Sequence, residues 1–201
     1  MQSIHNQALS RIYGKKRGWV FTPTDFFDLG SDLSVRKALQ VLCDRGQIRR
    51  LAPGLYDYPQ HHTELGDLWP TPEQIAHALA VKDSSAVQPS GAYAANLLGL
   101  SDQVPAKVVF LTDATDRRIT VGRQEVILKR TTPKNMATAG RISGLVIQAL
   151  RYLGKNHVDD AIIETLAERL TPDDRRQLMK DIRYAPAWVG AIFRHLAPNK
   201  E

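Results

Sequence analysis

Cysteine is almost missing from this sequence: Cys43 is the one thiol in 201 residues. No internal disulfide can form, and no thiolate set exists for a zinc knuckle. Beside Leu42 in a helical stretch, Cys43 reads as a small buried thiol. Long apolar runs are missing too, since none approaches the roughly 20 residues that a membrane-spanning helix needs. The first residues are polar (Gln2, Ser3, His5, Asn6, Gln7), so no secretory signal is expected, and a cytoplasmic location is. There is no internal repeat and no low-complexity tract. Three catalytic signatures are absent as well: the Gly-Lys phosphate loop, His-Glu-x-x-His and Gly-x-Ser-x-Gly. His61 and His62 are adjacent, but neighbouring side chains diverge and no cysteine or third histidine lies close by. No metal site and no cofactor are expected.

Carboxylates are scarcer than cations, 21 against 27, giving a net charge of +6. A basic balance favours polyanionic partners, and its distribution says where. Residues 1–59 hold nine Lys or Arg against five Asp or Glu; the remainder holds 18 against 16. Four of the six excess charges therefore sit in the N-terminal part. Hydrophobic residues at 43% and charged residues at 24% are ordinary for a globular chain with room for one large or two small domains.

The most informative stretch runs from Ser31 to Pro59. Val35, Ala38, Leu39 and Leu42 fall on one helical stripe, with Asp32, Ser34, Arg36, Lys37 and Gln40 largely off it. Arg45-Gly46 supplies a cation and a residue free to adopt positive φ, which ends the helix. Gln47 to Leu51 and Leu55 to Pro59 then read as short strands around Ala52-Pro53-Gly54, a β-hairpin.

Upstream, Ile4, Ala8, Leu9 and Ile12 have helical spacing up to Gly14, and Lys15-Lys16-Arg17-Gly18 forms a basic loop. Trp19-Val20-Phe21 is a short strand expected to join the hairpin. Thr22-Pro23-Thr24-Asp25 caps a short helix that carries Phe26, Phe27 and Leu29 and stops at Gly30. The order helix, strand, helix, turn, helix, hairpin is that of a winged helix-turn-helix. In such a module the exposed face of the second helix reads base edges in the major groove, while flanking cations hold phosphates. Ser34, Lys37 and Gln40 are the candidate base-reading residues. Lys15, Lys16, Arg17, Thr24, Arg36, Arg49 and Arg50 are the candidate phosphate contacts.

Residues 61–70 are polar and aperiodic and read as a linker, which places a DNA-binding domain at 1–60 and a second domain at 71–201. Thr71-Pro72-Glu73-Gln74 caps a helix through Leu79. Ser85 to Gln88 reads as a strand, and Ser90 to Leu98 as a helix of small residues. Lys107 to Asp113 has the apolar middle of a strand covered on both faces, and 118–121 with 124–130 form a hairpin around Gly122-Arg123. Four helices follow, from Ile142, Val158, Thr171 and Pro186, the last burying Val189, Ile192, Phe193 and Leu196. The fold class is α+β: a winged helix, a small mixed sheet with helices, and a helical C-terminal segment.

Several of these stretches resemble AbiEi-type antitoxins of abortive-infection, type IV toxin–antitoxin systems. Gly46-Gln47-Ile48-Arg49-Arg50 and Pro53 to Pro59 resemble that family's wing. Gln88-Pro89-Ser90-Gly91-Ala92-Tyr93-Ala94-Ala95-Asn96-Leu97-Leu98-Gly99-Leu100, Val109 to Asp113 and Arg130 to Pro133 resemble its second domain. The resemblance covers nearly the whole chain, and the block from Gln88 is its most specific part. It implies a bifunctional protein whose winged helix binds its own promoter, at inverted repeats of double-stranded DNA, and represses its operon. The second domain would counter a nucleotidyltransferase-type toxin without requiring a stable complex. No membrane partner is implied.

A catalytic alternative fails on spacing. Asp113, Asp116, Glu125 and Lys129 superficially suggest a restriction-type nuclease, but Glu125 and Lys129 are four residues apart rather than two. That leaves them about 13 Å apart on an extended strand. No catalytic residue is assigned, and a solvated hairpin tip accounts for these charges. The stronger rival is a regulator whose second domain senses a small effector, with Ser90, Tyr93 and Asn96 as candidate contacts for it or for the antitoxin surface. Capping and packing would explain the same three residues.

Overall fold

The computed structural model describes residues 3–197; the outermost bounds of the expected domains, residues 1–2 and 198–201, lie outside them. The chain is α+β, with small sheets of three, two and four strands among the described residues. None of the described helices is long and apolar enough to cross a membrane. The chain divides into two compact units: residues up to Ser84 with Ile119–Val126, and Ser85–Arg118 with residues from Ile127 on. The division at Ser84 falls later than the expected linker, because the helix after that stretch groups with the N-terminal elements.

In the first unit, helix α1 (Ile4–Lys15) is capped by Ser3, whose Oγ accepts the Asn6 N–H at 3.3 Å. Gly14, expected to end this helix, lies inside it. The exit is Lys16 at φ +68°, whose N–H donates to the Tyr13 carbonyl at 3.1 Å and satisfies one of the carbonyls a helix end leaves open. Strand β1 (Val20–Phe21) follows. The expected short helix is a 3₁₀ helix over Pro23–Leu29. Asp25 Oδ2 accepts the Thr22 N–H at 2.8 Å, as the cap motif predicts. The Asp25 carbonyl, which an α-helix would pair with Leu29, instead takes a guanidinium N–H from Arg11. Arg11 also grips the Asp28 carboxylate at 2.6 and 2.7 Å.

Helix α2 (Asp32–Asp44) buries the predicted stripe of Val35, Ala38, Leu39 and Leu42. It ends before Gly46, at φ +67°. Strands β2 (Arg49–Ala52) and β3 (Leu55–Asp57) form the predicted hairpin. The sheet order is β1-β3-β2, with Phe21 and Arg50 both opposite Tyr56, and Val20 and Arg49 both opposite Asp57. The core is aromatic: the Phe21 ring lies 4.6 Å from Trp19, 5.4 Å from Phe26 and 6.0 Å from Tyr56 by centroids. Ala8, Ile12, Val35, Leu39 and Leu42 close around it. Cys43, expected to be buried, is only half-buried at the edge of this core.

The stretch read as a linker is a second hairpin, β4 (Gln60–His62) and β5 (Gly66–Leu68). Its β4 side chains are exposed, so no apolar alternation marks it, and the turn conformation of Gly66 at φ +72° sets the register instead. Helix α3 (Pro72–Lys82) starts at the predicted cap, with Gln74 Oε1 accepting the Thr71 N–H at 2.8 Å.

In the second unit, strand β6 (Val87–Ser90) begins two residues later than the sequence suggested and leads into α4 (Gly91–Leu97). Strands β7 (Lys107–Thr112), β8 (Arg117–Val121) and β9 (Gln124–Arg130) complete a sheet of order β6-β7-β9-β8, of which residues Ile119–Val126 group with the first unit. Strand β7 is not covered equally on both faces. Val108, Phe110 and Thr112 are buried, while Val109 and Leu111 are half-exposed. The short α5 (Pro133–Met136) precedes α6 (Ile142–Leu153), α7 (Asp160–Arg169), α8 (Pro172–Asp181) and α9 (Ala187–His195). Ala94, Val146, Leu150, Leu166, Leu178, Val189 and Phe193 form their common core, with Ile192 half-buried beside it. Buried Asp181 accepts from Arg141, Ser143 and, at 2.8 Å, Gln177.

Candidate nucleic-acid interface

Helix α2 begins where Ser31 Oγ accepts the Ser34 N–H at 3.3 Å; the two hydroxyls lie 2.9 Å apart. Ser34 is therefore half-buried in the helix cap, with its hydroxyl already engaged. The buried stripe fixes the opposite side of the helix as its free face, on which Leu33, Arg36, Lys37, Gln40 and Asp44 follow one another. Gln40 Nε2 donates to Asp44 Oδ1 at 2.7 Å. Arg36 Nε contacts the Asp32 carboxylate at 2.7 and 2.9 Å, which holds the guanidinium charged and raises its pKa further. Both are exposed i,i+4 pairs, worth a few tenths of a kcal/mol, so an incoming phosphate or base edge can displace them cheaply. Leu33 is 78% exposed on the same face. The sequence pattern carried that signal, since Leu33 lies well off the stripe, but apolar character alone does not single out a groove contact.

Strand alternation sorts the hairpin cations. Arg50 pairs with Tyr56 in register, so their side chains share one face of the sheet, the face toward α2. The charges of Arg50 and Arg36 both act on the Tyr56 phenol, lowering its pKa against the stronger rise that burial causes. Arg50 acts likewise on the Cys43 thiol, which burial also pushes up. Tyr56 thus feels charge from both α2 and the hairpin.

Arg49 points the other way. Its Nε and Nη2 reach the Asp57 carboxylate at 3.1 and 2.6 Å, Nη2 also donates to the Leu68 carbonyl at 2.8 Å, and the guanidinium lies 4.4 Å over the Trp69 ring. The guanidinium is committed inside the fold, so the expected phosphate role does not suit this geometry.

Next along β3, Arg17 lies 4.7 Å over the Tyr58 ring and donates to the Pro59 carbonyl at 3.0 Å. Lys15 Nζ is 5.9 Å from the Trp19 ring. Lys15, Lys16 and Arg17 are all exposed. Thr24, a phosphate candidate, has its hydroxyl 2.7 Å from the Thr22 hydroxyl. The exposed cations of the basic loop, α2 with its C-cap, and the hairpin are therefore Lys15, Lys16, Arg17, Arg36, Lys37, Arg45 and Arg50.

The candidate contacts in the second unit do not converge. Tyr93 is buried edge-on against Phe110, with centroids 5.7 Å apart. Asn96 Nδ2 donates to the Ser101 carbonyl at 3.1 Å. Ser90 lines a cavity, its hydroxyl donating to Gln148 Oε1 at 3.4 Å. His61 Nδ1 sits 3.1 Å from Asp67 Oδ1, and His62 Nδ1 accepts the N–H groups of Glu64 and Leu65. Asp113 accepts the Ala86 N–H at 2.9 Å and Asp116 the Arg130 N–H at 2.6 Å, so both brace loops.

Residues 7–178 match the family described as "Family of unknown function (DUF6088)". No curated protein matches the sequence. Among solved structures, the RV2827C protein from Mycobacterium tuberculosis aligns at 13% identity with a TM-score of 0.46, over 98% of this chain and 83% of that one.

Proposed function

The chain belongs to the DUF6088 family, and we propose that it is a DNA-binding antitoxin that represses its own operon from the cytoplasm. Its first unit acts as a winged helix-turn-helix, with α2 as the recognition helix and β2–β3 as the wing. One observation supports the DNA-binding half: α2 exposes Arg36 and Lys37, the hairpin of the same unit exposes Arg50 in register with Tyr56, and the charges of both arginines act on the Tyr56 phenol. A major groove about 12 Å wide admits that helix, and flanking cations meet the phosphates on either side. Lys37 and Gln40 read base edges, Ser34 stiffens the helix start, and Leu33 offers an apolar contact to a thymine methyl. Lys15, Lys16, Arg17, Arg36 and Arg50 hold phosphates.

The antitoxin half is supported by the resemblance of the block from Gln88 to Leu100, and of Val109 to Asp113, to AbiEi-type proteins. The second unit would counter a nucleotidyltransferase-type toxin made from the same operon.

Titration of the protein against its own promoter and a scrambled duplex, at two salt concentrations, tests the first half. Preference for the promoter that weakens with salt is expected; equal affinity for both duplexes would end the autoregulation reading. Co-expression with the toxin tests the second half. Arg50→Ala should lose repression and keep rescue, whereas wild type that fails to rescue growth removes the antitoxin role.

A further inference from the structure

The half-covered face of β7 has a specific environment. Val109 and Leu111 form the apolar floor of a cavity of about 360 Å³ in the second unit. Eleven residues line it, and three of them, Lys129, Arg130 and Arg151, are cations, while none is a carboxylate. Arg151 is held in place: its Nη1 donates to Asn135 Oδ1 at 3.0 Å, and Asn135 Nδ2 donates to Thr131 Oγ1 at 2.8 Å. Ser90 also lines the cavity, its hydroxyl donating to Gln148 Oε1 at 3.4 Å. The Tyr152 ring stands at the edge, half-exposed, against Gly91 at φ +60°. A Cβ at Gly91 would make only ordinary contact with Tyr152 Cδ2, at 3.9 Å, so the positive φ rather than space calls for glycine there.

Concentrated positive charge above an apolar floor, with an aromatic ring at the rim, is a two-part recognition surface. The cations suit a group carrying about two negative charges, and guanidinium groups bind phosphate oxygens in a fixed geometry. The floor and ring suit a flat, weakly polar moiety that stacks. The volume falls within the roughly 300–1,000 Å³ of small-molecule sites. We propose that this cavity binds a nucleoside monophosphate, the phosphate held by Lys129 and Arg151 and the base laid over Val109 and Leu111 against Tyr152. This site is distinct from the DNA-binding face and does not depend on it.

The test uses the full chain with AMP, GMP, CMP and UMP, the matching nucleosides, inorganic phosphate and a short single-stranded oligonucleotide. Thermal unfolding and calorimetric titration are the readouts. At least one nucleotide should bind saturably and raise the unfolding midpoint above the effect of its nucleoside or of inorganic phosphate. Lys129→Ala and Arg151→Gln should each weaken that binding about tenfold or more. Replacing the exposed Lys129 should leave the unliganded midpoint in place, so a lost response there is not lost folding. Four outcomes would overturn the site: no response to any nucleotide at millimolar concentration, equal responses to nucleotide and nucleoside, equal responses to nucleotide and phosphate, or undiminished binding by both variants. An oligonucleotide that binds where no mononucleotide does would also overturn it, in favour of a nucleic-acid surface.

Discussion

Arg49 and Arg50 are chain neighbours that face opposite sides of one strand. Arg49 meets the buried Asp57 carboxylate at 2.6 Å, while Arg50 stands opposite Tyr56 beside α2. Asp57 is 2% exposed and Arg49 22%, so removing the guanidinium strands a carboxylate out of water. Arg49→Ala should therefore destabilise the protein by about 3–5 kcal/mol, the cost of breaking a buried pair from one side. Arg50→Ala should leave stability within about 0.5 kcal/mol and instead flatten the salt dependence of promoter binding by roughly one unit of slope. Urea unfolding of both variants, alongside titrations at several salt concentrations, checks the division of labour. Equal stability losses would mean that the alternation does not separate the two roles.

Two aspartates of the first unit should respond to pH with opposite signs. Burial raises the Asp57 carboxyl above its ordinary 3.8, and the Arg49 guanidinium only partly offsets the rise. A raised folded value means stability that is full below pH 3.8 and lost as pH climbs through the higher value. Asp28 is the reverse. Its hydrogen bonds from Arg11 pull it below 3.8, so its contribution is present above that pH and lost as the solution is acidified. Wild type should lose ground to Asp57→Asn as pH rises from about 4, and to Asp28→Asn as pH falls below it. Unfolding measured from pH 3 to 7 decides both. A wild-type advantage over Asp57→Asn that grows with pH would show the ion pair outweighing burial.

Lys37 is exposed in the middle of the free α2 face, away from the helix cap. If α2 enters the major groove, Lys37→Ala should relax preference at one base position, at a cost of about 1–3 kcal/mol on the specific site. A panel of single-base operator variants reads this out. Equal losses on specific and random duplexes would assign Lys37 to the phosphates instead.

How much of this was legible in the sequence depends on what each signal encodes. The α2 stripe, the caps at Thr22, Thr71 and Thr171, and the turn at Pro53-Gly54 are local, and each lies where the residues place it. Hairpin β4–β5 was missed because its β4 side chains are exposed, so hydrophobicity carries no period there. The 3₁₀ geometry after Thr22 was not legible, because a Thr-Pro-x-Asp cap opens an α-helix and a 3₁₀ helix alike, and the contact of Arg11 with the Asp25 carbonyl, 14 residues along the chain, has no local pattern. Arg49 and Arg50 look alike in sequence; only the pairing of β2 with β3 reveals which meets a carboxylate. Tyr93 and Asn96 suited an effector site by residue type, yet packing against Phe110 and the Ser101 carbonyl turns both inward. The cavity beside Ser90 assembles strands, α5 and α6 from distant parts of the chain, beyond the reach of any spacing rule.

Gly144, in the first turn of α6, gives the sharpest test of that assembled packing. A Cβ there would lie 2.4 Å from the Thr138 carbonyl oxygen and 2.5 Å from Gln88 Oε1. Its conformation is ordinary helix, so backbone freedom is not the reason for glycine; close approach is. The carbonyl belongs to the turn leading into α6, where the Thr138 oxygen also accepts the Arg141 N–H at 3.1 Å, and cannot swing aside without opening that turn. Gln88 is 1% exposed and has no room to retreat. Helix propensity alone would favour alanine by about 1 kcal/mol, but overpacking against backbone typically costs about 1–3 kcal/mol. Gly144→Ala should therefore destabilise the protein on balance, and Gly144→Ala combined with Gln88→Ala should recover only the part owed to the side chain. A stabilised single variant in chemical denaturation would show that α6 can shift away from β6, and that the close contact with Gln88 does not fix their packing.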